Sequence, residues 1–71
     1  MTKRERAVEA FRLRARERQT PAEIAERLRT SRVSVRYLIR NGYKIVRGTP
    51  GHELGPLTRA FRDGQRRHSR A

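Results

Sequence analysis

Apolar residues fall at helical intervals through the first forty positions of this chain, and the intervals break twice. From Thr2, the stretch TKRERAVEAFRLRARER contains neither Gly nor Pro, and Val8, Phe11 and Ala15 recur at i, i+3 and i+7 with Ala7 and Ala10 beside them. That spacing predicts a first helix with one apolar stripe, and Thr2 with Glu5 supplies a capping box at its start. Only Gln19-Thr20 is left as a connection, as a compact three-helix unit requires. Thr20, Pro21 and Glu23 open a second helix with a cap, a proline suited to the first position and a second capping box, and Ile24, Ala25 and Leu28 share its inner face. The polar run Arg29-Thr30-Ser31 interrupts the pattern. Ser31 then caps a third helix with Val35 and Leu38 inward and Ile39 beside them.

Beyond Arg40 the rhythm changes. Asn41-Gly42 reads as the end of the third helix, with Gly as a left-handed stop. Tyr43-Lys44-Ile45-Val46-Arg47 is a short β-prone run, Gly48-Thr49-Pro50-Gly51 a turn, and His52-Glu53-Leu54 a returning segment, so the stretch predicts a β-hairpin. Leu57, Ala60 and Phe61 form one further apolar cluster that predicts a helical turn docked on the core. Past Asp63 the string GQRRHSRA predicts a disordered basic tail over residues 64–71. The expected fold is therefore mainly α with a small β-hairpin, as a single domain over residues 1–63.

Composition bounds the core and points to a partner. Seventy-one residues with 34% hydrophobic content, two Phe, two Tyr and no Trp predict a stability of only a few kcal/mol. No cysteine is present to add a disulfide or a thiolate metal site, and His52 and His68 have no partners in the sequence with metal-ligand spacing. Neither a cofactor site nor an enzyme is expected, since no nucleophile is paired with a base. No apolar run approaches the roughly 18 residues of a membrane span, and no apolar segment follows the charged N-terminus as in a signal peptide. A soluble intracellular chain without a membrane partner is expected. Nineteen Lys and Arg against seven Asp and Glu give a formal charge of +12, which calls for a polyanion or an acidic protein surface. Seventeen of the nineteen are Arg, suited to bidentate contacts with phosphate and guanine. Genome composition is a rival explanation for Arg over Lys, though not for the net charge.

The positive residues are not equivalent. Arg4, Arg12, Arg14, Arg16 and Arg18 read as a solvated face of the first helix, with phosphate contact by general attraction as the lesser alternative. Arg32, Arg36 and Arg40, spaced i, i+4 and i+8, form a stripe on the third helix, with Ser34 and Tyr37 beside it. Like charges at that spacing repel, so the stripe gains nothing without an anionic partner. Tyr37 has two open assignments, in the core or on the binding surface.

The segment TPAEIAERLRTSRVSVRYLIR resembles the helix-turn-helix of bacterial and phage DNA-binding regulators, in which the second helix lies in the major groove. Where those regulators place Gly in the turn, this chain has Arg29, for which a left-handed conformation costs roughly 1 kcal/mol. The stretch GYKIVRGTPGHELGPL resembles the wing of biotin-repressor-like winged-helix regulators, and the combined resemblance runs from about Ala7 to Leu57. It implies a three-helix helix-turn-helix core plus wing, with Ile45 and Leu54 over the core, and a small phage or mobile-element regulator of transcription. Duplex DNA would be the partner, contacted by Ser31, Arg32, Ser34, Arg36, Tyr37, Arg40, Lys44, Arg47, Thr49 and His52. The implied location is the cytoplasm of a bacterial or phage-infected cell, in association with the nucleoid. The rival reading is a phage-encoded factor that docks on host RNA polymerase. Oligomeric state is not legible.

Overall fold

The computed structural model describes residues 1–70, with side chains as far as Gly64. Among the described residues there are four helices and no strand: α1 (Lys3–Ala15), α2 (Pro21–Leu28), α3 (Arg32–Arg47) and α4 (Gly55–Arg70). The expected tail falls, from residue 65 onward, outside the described side chains.

Local signals set the first three helix starts. Thr2 Oγ1 accepts from the Glu5 N–H at 3.1 Å while Glu5 Oε1 accepts from the Thr2 N–H at 3.1 Å. Thr20 and Glu23 repeat the exchange at 3.2 and 2.9 Å. Ser31 Oγ accepts from the Ser34 N–H at 3.1 Å. Each bond satisfies a backbone donor that the first turn leaves without a helical partner. At the other end of α2, Arg29 adopts φ 55° and ψ 53°, the left-handed conformation. Its N–H donates to Glu26 O at 3.3 Å and the Thr30 N–H donates to Ala25 O at 2.9 Å, closing a Schellman motif on a non-glycine residue. Arg6 helps hold this end from α1, its guanidinium donating to Leu28 O at 3.1 Å. The α1–α2 link is longer than expected, since α1 ends at Ala15 and Arg18 is also left-handed, at φ 55°.

The expected hairpin does not form. Tyr43–Arg47 is the last part of α3, which runs 16 residues without interruption. Val35, Ile39, Gly42 and Val46 recur at i, i+4, i+7 and i+11 and are all buried, so the helical period continues through the β-prone run. Val and Ile favour strands only weakly, and burial of one continuous face overrides that preference. Gly42 is not a left-handed stop either. A Cβ at that position would lie 2.0 Å from the Ala7 carbonyl oxygen and 2.8 Å from Phe11 Cβ, so glycine is what allows the backbones of α1 and α3 to cross in contact. The same crossing makes Ile39 a buried residue and leaves Leu38 half-buried, reversing their expected order.

The segment expected to turn and return as a second strand is a chain of tight turns. The N–H groups of Thr49, His52 and Gly55 donate to Val46 O, Thr49 O and His52 O, each three residues back, so they are used locally and not across a ladder. Gly51, at φ 74°, supplies the left-handed step.

The core has two parts. Ala10, Leu13, Ile24, Ala25, Val35 and Ile39 join α1, α2 and the start of α3, whereas Phe11, Val46 and Leu54 join α1 to the end of α3 and the turn before α4. Phe61 of α4 packs against both. Its ring meets Phe11 edge-on at 5.3 Å and Tyr43 at 5.2 Å. Leu54 thus covers the core from a turn and not from a strand, and Ile45 is half-buried on α3. With α1 and α4 behind it, α3 is left with one side facing solvent.

Candidate functional site

That side of α3 carries five cations, Arg32, Arg36, Arg40, Lys44 and Arg47, and the helix contains no acidic residue. All five are exposed. Among the described residues the ion pairs are those of Arg12 with Glu9 and Glu17, so none engages α3. The contrast with α1 is direct. The hydrogen bond from Arg12 holds the Glu9 carboxyl below its ordinary range and, in return, holds the Arg12 proton more firmly. Arg12 is half-buried between two carboxylates, whereas the α3 cations are exposed and, among the described residues, have no carboxylate partner.

Ser31 sits at the N-terminus of this face, its hydroxyl 3.0 Å from that of Ser34, and both residues are exposed. Tyr37 is 65% exposed, which places it on the surface and not in the core. Val33, one turn earlier, is 64% exposed. Val33, Arg36, Tyr37 and Arg40 together line a shallow depression of about 280 Å³. Arg36 and Arg40 also border a larger groove of about 680 Å³, where Lys44 and Arg14 of α1 add two more cations over a floor of Ile39, Tyr43 and Phe61.

The structure therefore brings Arg36, Tyr37 and Arg40 together, with Arg32 and Ser34 toward the start of α3 and Lys44 and Arg47 toward its end. Thr49 and His52 lie elsewhere, because no wing exists to carry them. Thr49 Oγ1 donates to Ile45 O at 2.7 Å, extending the end of α3, and His52 Nδ1 accepts from the Leu54 N–H at 3.0 Å within the turn. Both face α1, lining a depression with Val8, Ile45 and Leu54.

Two residues of this surface, Arg14 and Val33, are not among the contacts expected from the sequence. Arg14 alternates with Arg12, Arg16 and Arg18 in the sequence, and only the fold sets it beside Arg36, Arg40 and Lys44. Val33 does leave a signal, being an apolar residue out of phase with Val35, Ile39 and Val46. Chemically the surface offers guanidinium and ammonium donors, hydroxyls and a small apolar patch. Among the described residues no helix is long and apolar enough to cross a membrane. Compared with family models, with curated proteins and with solved structures, the chain shows no match in any of the three.

Proposed function

We propose that this chain binds duplex DNA by laying the outward face of α3 in the major groove, as a small regulator of transcription. The observation that carries the reading is the charge asymmetry of α3: five exposed cations, no acidic residue, and no ion pair to any of them among the described residues. A helix of 16 residues is about 24 Å long and 10 to 12 Å across with its side chains, which suits a groove about 12 Å wide. Arg36 and Arg40, beside Tyr37, contact base edges. Arg32, Ser31 and Ser34 at one end, and Lys44, Arg47 and Arg14 at the other, hold phosphates and fix the register. No wing contributes.

Binding to random-sequence duplex over a range of salt concentrations tests this. Four to seven neutralised phosphates give log K against log salt a slope of roughly −4 to −6. Weak binding to any duplex at physiological salt, combined with tight binding to purified RNA polymerase, would transfer the function to an acidic protein partner.

A further inference from the structure

Among the described residues, the exposed large hydrophobic side chains are Met1, Val33 and Tyr37. Met1 is the chain terminus, which leaves two, and these stand one turn apart on the face of α3 that carries the arginines. Residues at i and i+4 of a helix have Cβ atoms roughly 5 to 6 Å apart, so the two side chains form one patch. Arg36 and Arg40 complete the same depression. Valine is a poorer helix former than Arg, Lys or Glu, and at this position it is left mostly exposed. An apolar patch ringed by guanidinium groups matches a partner that is polyanionic overall but presents a small apolar group. In the major groove of DNA that group is the C5-methyl of thymine.

We infer that Val33 and Tyr37 form a seat for a thymine methyl group, and that the preferred sites of this chain carry thymine next to a guanine contacted by Arg36 or Arg40. The inference rests on the DNA-binding reading and adds a sequence preference to it. Val33 supplies the contact and Tyr37 closes the far side of the seat. The flanking arginines set which base pair lies beneath.

The test begins with duplexes selected by the wild-type protein from a random library. Each thymine of a selected site is replaced in turn by deoxyuridine, which removes the methyl group and leaves the base-pairing edge intact. Burial of one methyl group corresponds to about a fourfold change in affinity. Wild type is expected to lose about that factor at one or two positions and nothing at the others. Val33→Ala, at an exposed site where the fold does not depend on the side chain, is expected to bind the thymine and deoxyuridine forms of those positions equally. Loss at no position, or the same loss in Val33→Ala, overturns the inference and leaves duplex binding standing. Selected sites without thymine do the same. Failure of the wild type to bind any duplex at low salt overturns both readings, as does a Val33-dependent complex with RNA polymerase in its place.

Discussion

Between Thr20 and Arg40, the helix boundaries are set mainly by hydrogen bonds a few positions long; between Asn41 and Val46, the course of the chain is set by packing on α1, at the far end of the sequence. Thr20 and Glu23 start α2, Arg29 ends it, and Ser31 starts α3, all through hydrogen bonds spanning five residues or fewer. In the second region Gly42 stays helical because Ala7 and Phe11 press against it, and Tyr43 is held by the rings of Phe11 and Phe61. Local rules describe the first region well and mislead in the second. A glycine after Asn41 has the same letters whether it ends a helix or lets another backbone pass.

The largest expected effect probes the second region. In an isolated helix, Gly→Ala gains about 1 kcal/mol. At Gly42 the overlap with Ala7 reverses the sign, and Gly42→Ala is expected to cost about 3 kcal/mol or more. For a small domain with a few kcal/mol in hand, thermal melting by circular dichroism should then show no cooperative transition. A melting temperature equal to or above that of wild type would mean that α1 and α3 do not cross at this point.

That pair of regions also shows how much of the molecule could be read in advance. The starts of α1, α2 and α3 were legible because a capping side chain acts on its own neighbourhood. The hairpin was a wrong expectation because Tyr43–Arg47 has weak strand preference and Gly48–Gly51 has strong turn preference, while the period joining Val35 to Val46 becomes decisive only when α1 is present to bury it. On the surface, the Arg32, Arg36 and Arg40 stripe was visible as a spacing. The convergence of Arg14 upon it was not, because it depends on the packing of two helices.

Smaller effects sharpen the local side of the comparison. Thr20→Ala removes the acceptor of the α2 capping box and should lower stability by about 1 kcal/mol in urea unfolding. A loss as large as that from Gly42→Ala would show that the two regions do not differ in kind. Arg29→Gly should act in the opposite direction. Relief of a left-handed strain of about 1 to 2 kcal/mol, less the added freedom of glycine in the unfolded chain, leaves a gain of about 0.5 kcal/mol. Destabilisation by this change would mean that the Arg29 side chain contributes more than its backbone strain costs.

Acid provides the smallest perturbation. Hydrogen bonds from the backbone and hydroxyl of Thr2 and Thr20 hold the Glu5 and Glu23 carboxyls below their ordinary range, and the bond from Arg12 does so for Glu9. The folded chain therefore binds these protons less readily than the unfolded chain. The associated stability is present above the usual glutamate range and is lost as the pH falls below about 4. The urea midpoint should decline between pH 6 and pH 3, and by less in Glu23→Gln than in wild type. An identical decline in both would remove Glu23 from the account.

Whether the outward face of α3 reads base pairs is tested most directly by the affinity of wild type and Arg36→Ala for a selected duplex and for random duplex at the same salt concentration. Arg36 lines both depressions on that face, and loss of a base contact is expected to cost about 1 to 3 kcal/mol, or about 5- to 150-fold, on the selected site. On random duplex the same change should weaken binding only a few-fold, as the loss of one phosphate contact does. Equal losses on the two duplexes would contradict base reading by α3.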